Sequence, residues 1–231
     1  MPVLTLMTYN ICHGTGMDDR WDLSRPIAVA RKYAPDVLCL QEVDRGTGRS
    51  FGADEPAMIG HILDPLRHWE FVKSFDYDGG EYGNAILSRD AARSTVRHIL
   101  PGVNEPRSVL VCEFASFAVA TLHASLHAEM RLRSVPVLSH LAQAFGKPLF
   151  ITGDWNATPD SDFLKAMRET FRILSGTEPT CPAAGPNACI DYIAIDRAHA
   201  ESVRVAESFV ADEPLASDHR PVLVKVEADW D

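Results

Sequence analysis

Groups able to handle a metal-bound phosphate collect at a few separated places in this 231-residue sequence. Thr8-Tyr9-Asn10 and Leu40-Gln41-Glu42-Val43-Asp44 each close an apolar run. Gly153-Asp154-Trp155-Asn156 follows another, and Asp154 and Asn156 project from one side if the strand alternation persists. Ile190-Asp191-Tyr192-Ile193 sets an acid near the start of an apolar strand, where it is unfavourable unless paired. Ser217-Asp218-His219-Arg220-Pro221 puts a carboxylate next to an imidazole at the entrance to the last strand. Thr121-Leu122-His123 ends a strand, with His127 shortly after; in a helix these two would form a zinc pair, and a strand end is the better reading. Each cluster alone also has a bland reading as a turn or a solvated carboxylate, and an Asx turn would account for Asp154. Together they offer oxygen ligands for a hard cation, a base for an attacking water, and an imidazole for developing charge. Physical reasoning reaches a carboxylate-rich hydrolytic site and stops there.

Such a site needs strand ends to converge. Strand patterns run from Val3 to Tyr9, Asp36 to Gln41, Trp69 to Ser74, Asn84 to Leu87, Thr95 to Leu100, Ser108 to Phe114, Phe117 to His123, and Leu149 to Thr152. Others follow at Cys189 to Ile195, Val203 to Val205 and Pro221 to Val226. Helical patterns cover Pro26 to Tyr33, with Ser24 as cap, then Ala57 to Arg67, Glu129 to Ala144 and Asp160 to Thr170. A polar loop spans Ser175 to Asn187. Many strands, few helices and no long linker predict one α/β domain over 1–231, with sheets packed face to face and helices outside.

The composition is 46% hydrophobic, enough for a sizeable core, and the formal charge is -10, which disfavours nonspecific binding to nucleic acid. Five scattered cysteines make no paired metal-ligand spacing and suit a reduced compartment. The first apolar run lacks a basic leader, and no run is long enough to span a bilayer, so a cytoplasmic location is expected.

In order, the segments TYN at Asn10, LQEVD at Glu42, YGNAILSR at Tyr82 to Arg89, TLH at His123, GDWNATP at Asp154 and Asn156, IDYI at Asp191, and SDHRPV at Asp218 and His219 resemble the endonuclease/exonuclease/phosphatase (deoxyribonuclease I-like) superfamily. The resemblance covers nearly the whole chain. It implies a four-layered α/β/β/α sandwich with the site on one edge of the paired sheets, and Mg²⁺ or Mn²⁺ as cofactor. It implies Glu42 as principal metal ligand, helped by Asn10 and Asp218. Asp154 would position or deprotonate the water, and Asn156 would hold the phosphate or that aspartate. His219 would contact the phosphate, oriented from behind by Asp191, and His123 would be a second phosphate contact. Arg107 and Arg131 are further substrate-binding candidates. The absence of a tyrosine between Thr121 and Glu129 argues against the exonuclease III branch.

The activity expected is hydrolysis of a phosphodiester or phosphomonoester in a small molecule or lipid headgroup. The alternatives are a DNA or RNA endonuclease or DNA-repair phosphodiesterase, favoured if Arg89, Arg93, Arg97 and Arg107 gather beside the site, and a catalytically inactive binding domain. Phe51, Met58, Trp69 and Phe75 are the aromatic and apolar residues from which a lipid contact would be drawn, although most such residues are core. Oligomeric state is not legible.

Overall fold

A computed structural model describes residues 3–229. Strands β1 (Val3–Asn10) and β2 (Val37–Arg45) run parallel, joined by helix α1 (Ser24–Tyr33). Helix α2 (Glu55–Ile62) leads to the hairpin of β3 (His68–Tyr77) and β4 (Gly80–Ser88), then β5 (Ser94–Leu100) and β6 (Arg107–Glu113). A second parallel pair, β7 (Ala118–His123) and β8 (Leu149–Asp154), is joined by helix α3 (Ala128–Leu141). Helix α4 (Asp162–Thr170), β9 (Phe171–Ile173), β10 (Asp191–Asp196), β11 (Val203–Val210) and β12 (Val222–Ala228) complete the chain.

The strands form two six-stranded sheets, ordered β11-β12-β1-β2-β4-β3 and β5-β6-β7-β8-β10-β9. Each has one parallel pair at its centre and antiparallel neighbours on both sides. Period-two alternation sorts side chains into layers. Leu4, Leu6, Val37, Cys39, Val119, Phe150, Ile193 and Ile195 point between the sheets and form the central core. Met7, Leu38 and Leu40 face outward onto Ile27, Ala30 and Ile59 of α1 and α2. Val109, Val111 and Ile151 face Leu138, Phe163, Leu164 and Met167 of α3 and α4. Three apolar layers between four layers of backbone give the expected α/β/β/α sandwich.

Element ends differ from expectation for local reasons. The second helix begins at Glu55, because Asp54 caps it by accepting from Ala57 N, and stops at Ile62, ahead of Asp64-Pro65. Residues before proline avoid helical backbone. At α1 Ser24 is the first helical residue and Leu23 holds the cap position, while the Ser24 amide and hydroxyl both donate to Asp22 Oδ1 just before it. The three-residue β9 was unforeseen: it continues directly from α4 and pairs with the end of β10.

Candidate active site

The inward face of each central strand changes character toward one edge. Beyond Leu4 and Leu6 the inward positions of β1 are Thr8 and Asn10; on β8 Phe150 is followed by Thr152 and Asp154; on β7 Val119 is followed by Thr121 and His123. Gln41, at the matching place on β2, donates to Thr8 Oγ1 at 3.0 Å and, across the gap between sheets, to Thr121 Oγ1 at 2.8 Å. Asn84 of β4 likewise reaches the Ser108 carbonyl and hydroxyl of β6, both at 3.0 Å. These satisfied polar pairs end the apolar core and floor the site above it.

Glu42 follows Gln41 and would ordinarily face the opposite side. Here β2 carries a bulge between Leu40 and Val43, and Glu42 takes a left-handed φ of 56°. A bulge re-aims a side chain, and the Glu42 carboxylate swings back to accept from Asn10 Nδ2 at 3.0 Å. Gly153 permits a similar closeness on β8: its φ is 137°, and a Cβ there would lie 1.9 Å from the Leu122 carbonyl oxygen.

Asp154 is the meeting point. Its Oδ1 accepts from the Asn156 amide at 2.9 Å, and its Oδ2 accepts from Asn10 Nδ2 at 3.2 Å. His123 Nε2 and His219 Nε2 stand 3.4 and 3.7 Å from the same Oδ2. Asp191 pairs with Asp154 across the β8–β10 ladder and accepts from His219 Nδ1 at 2.9 Å and from Thr180 Oγ1 at 2.5 Å.

The two imidazoles are held in opposite charge states. Burial disfavours the His219 cation, but the Asp191 and Asp154 carboxylates outweigh it and raise the group well above its ordinary value. Burial, together with the Arg107 and His219 charges, holds His123 well below its ordinary value, hence neutral. Arg107 Nη1, which can only donate, lies 3.1 Å from His123 Nδ1 and 3.4 Å from Nε2, and the shorter contact assigns Nδ1 as the acceptor. The ring proton then sits on Nε2, facing Asp154. Burial pushes the Asp154 carboxyl above its ordinary value against the pull of the His219 charge. Burial also raises Glu42; the Asn10 hydrogen bond opposes this and the Asp218 charge adds to it.

Glu42, Arg107, His123, Asp154, Asn156, Asp218 and His219 line one cleft of about 320 Å³. Asn10 and Asp191 are buried just beneath it, Asn10 with Oδ1 accepting from Cys12 N and its amide nitrogen toward the two carboxylates. Arg131 stands back from the cleft, donating to the Ser125 and Leu126 carbonyls, both at 2.8 Å. Arg107 is the one member of the four-arginine set to reach the cleft: Arg89 pairs with Asp36, Arg97 with Glu70, and Arg89 and Arg93 line a separate pocket. Glu42 and Asp218, two carboxylates opening onto one cleft, with Glu42 raised by burial and by the Asp218 charge despite the His219 and Arg107 charges, suit a hard divalent cation.

Sequence reasoning missed Arg49, Tyr77 and Tyr82 as cleft walls. Asp44 grips Arg49 with bonds of 2.7 and 2.8 Å, and the guanidinium stacks 4.4 Å from the Tyr77 ring and 5.4 Å from that of Tyr82. The available signal was Asp44 itself, a carboxylate at the end of a buried strand that needed a cation.

The profile of the Endonuclease/Exonuclease/phosphatase family matches residues 7–219. Among solved structures, the chain is similar to an endonuclease/exonuclease/phosphatase from Beutenbergia cavernae (TM-score 0.80, 22% identity, 99% of this chain and 72% of that one). It is also similar to a mannosyl-6-phosphatase from Bacteroides thetaiotaomicron (TM-score 0.71, 17% identity, 97% and 99%). The human nocturnin catalytic domain with bound sulfate is a third likeness (TM-score 0.68, 17% identity, 99% and 95%). No curated protein matches. At such identities the structural likeness is one of fold.

Proposed function

The chain belongs to the endonuclease/exonuclease/phosphatase family, and from that premise we propose that it is a metal-dependent phosphoesterase acting on a phosphomonoester or phosphodiester of a small molecule or lipid headgroup. The observation that carries this reading is Asp154, a buried carboxylate whose Oδ2 stands 3.4 Å from a neutral imidazole and 3.7 Å from a cationic one.

Glu42, with Asp218 and Asn10, would hold Mg²⁺ or Mn²⁺; the ion supplies Lewis-acid polarisation of the phosphoryl oxygen and offsets its charge. Asn10 Oδ1 accepts from Cys12 N and keeps a second lone pair for this task. Asp154 takes a proton from the attacking water, helped by burial, which raises its carboxyl above the ordinary value and makes it a stronger base. His219 presents a charged Nε2–H to a phosphate oxygen while Asp191 fixes its orientation through Nδ1. Neutral His123 adds an Nε2–H, Arg107 adds fixed positive charge beside it, and Asn156 contacts the phosphate from the lip. Arg131 would reach substrate only through the Ser125-Leu126 loop it holds.

A small substrate is supported by the cleft's size, by the walls of Arg49, Tyr77 and Tyr82, and by the dispersal of Arg89, Arg93 and Arg97 away from it. The net charge of -10 points the same way. A mannosyl-6-phosphatase among the similar folds also supports a small phosphorylated substrate. No helix of the described residues is long and apolar enough to cross a membrane.

The test is hydrolysis with Mg²⁺ or Mn²⁺ across sugar phosphates, inositol phosphates, phospholipids, single-stranded DNA and supercoiled plasmid, beside a His219→Ala control. Turnover of small or lipid esters, lost in the control, is the expected result. Preferential DNA cleavage would replace this substrate class with the nuclease reading, and silence on every ester would remove the activity.

A further inference from the structure

Immediately after Asn10 the chain makes a tight turn, Cys12–Gly14, in which three successive residues take left-handed backbone: Cys12 at φ 45°, His13 at 43° and Gly14 at 78°. This folds the Cys12 and His13 side chains back toward the end of β2. There the thiol sulfur, an imidazole nitrogen and a Glu42 carboxylate oxygen all lie within 4.8 Å of one another. His13 Nδ1 is buried and has no hydrogen-bond partner. The thiol has no disulfide partner.

We propose that Cys12, His13 and Glu42 form a seat for a thiophilic divalent cation of the zinc class, which competes with the hydrolytic cation by taking Glu42. The donor set decides the class: Mg²⁺ and Ca²⁺ take oxygen almost alone, whereas sulfur with imidazole selects zinc and its neighbours. A tetrahedral zinc ion, with bonds of about 2.3 Å to sulfur and about 2.0–2.2 Å to nitrogen and oxygen, holds its ligand atoms roughly 3.3–3.6 Å apart. Side-chain rotation would have to close the trio from within 4.8 Å to that spacing. On binding, the thiol releases its proton to solvent and the thiolate becomes the ligand. The fourth position falls to water, and the charges of Asp218 and Arg49 both act on Cys12 and His13 with opposite sign. Glu42 drawn onto zinc beside the thiolate and imidazole no longer presents both oxygens to the hydrolytic ion, so zinc would inhibit the enzyme. That consequence rests on the hydrolytic reading given above; the seat itself does not.

The test titrates the metal-free full chain with Co²⁺ alone and reads sulfur-to-cobalt charge-transfer absorption. One equivalent should bring the band up in the wild type. Cys12→Ser should abolish it while the four other cysteines remain, and His13→Asn, which keeps a residue at ease in left-handed backbone, should weaken it at least tenfold. No band, or a band that survives Cys12→Ser, overturns the seat. With Mg²⁺ present, Zn²⁺ should inhibit the wild type at concentrations at least tenfold below those needed for a folded Cys12→Ser. Equal sensitivity would overturn the competition. A cobalt band in a chain that hydrolyses nothing would keep the seat and remove the phosphoesterase.

Discussion

Asp154 is the residue on which the site turns, because two imidazoles and one amide address a single one of its oxygens. Asp154→Asn keeps the shape and removes the proposed base. Its kcat should fall by about 10²–10⁴-fold with little change in KM, as steady-state kinetics will show. Asp191 acts one step behind. It is one of two carboxylates that raise His219, so Asp191→Asn lowers the pH at which the imidazolium loses its proton. Activity that needs the cation disappears as pH rises, and the alkaline limb of the kcat/KM profile should therefore move to lower pH in that variant. An unmoved limb would detach His219 from the profile. At this scale much was legible, since Asn10, Glu42, His123, Asp154, Asp191, Asp218 and His219 each stood in a short segment of distinctive type. Arg49 was not. Its place depends on a tether to Asp44 and on stacking against rings from the β3–β4 hairpin, contacts that no local pattern encodes.

Strands carry these residues to one edge, and their register tolerates little change. In Gly153→Ala the new methyl would meet the Leu122 backbone at 1.9 Å, and the parallel pair β7–β8 would have to part. A loss of roughly 2–4 kcal/mol is expected in urea unfolding, and the rise in KM should exceed that of a surface control. Helix α2 brings a different liability. Glu55 is fully buried, accepts from Asp44 N at 2.8 Å, and is raised by burial from 4.5 to about 7. The folded chain thus holds this proton more tightly than the unfolded one. The associated stability is complete below pH 4.5 and is lost as pH rises through 7, amounting to roughly 3 kcal/mol. Glu55→Gln should remove this dependence, so the stability of the variant relative to wild type should grow with pH over that range. Alternation made the central strands easy to read. The bulge that turns Glu42 inward, and the short β9, were beyond reach because both arise from pairing with a neighbour and not from residue type.

For the molecule as a whole, the site is also a store of unfavourable charge. Burial and Asp218 both raise Glu42, so without a cation this carboxylate opposes folding. Glu42→Gln should therefore melt higher than wild type in chelator, by roughly 2–4 °C for each kcal/mol relieved. Mg²⁺ at a hundredfold excess over its Kd should stabilise the wild type by about 2.7 kcal/mol and leave Glu42→Gln unmoved. Equal responses in calorimetry would place the ion elsewhere. The layered architecture was legible from the order of strand and helix patterns, whereas strand order was not: β12 enters beside β1 although nearly the whole sequence separates them. That threading divides the chain into halves that cannot be finished separately. A fragment ending in the turn between β4 and β5 would own Asn10 and Glu42, but not the strands that flank β1 on its far side. Its complement would own Asp154, Asp191 and His219, with β11 and β12 lacking a sheet to join. Neither piece holds a working centre, and their reunion restores all of it at once. Turnover could thus serve as a complementation reporter for proteins fused to the two fragments.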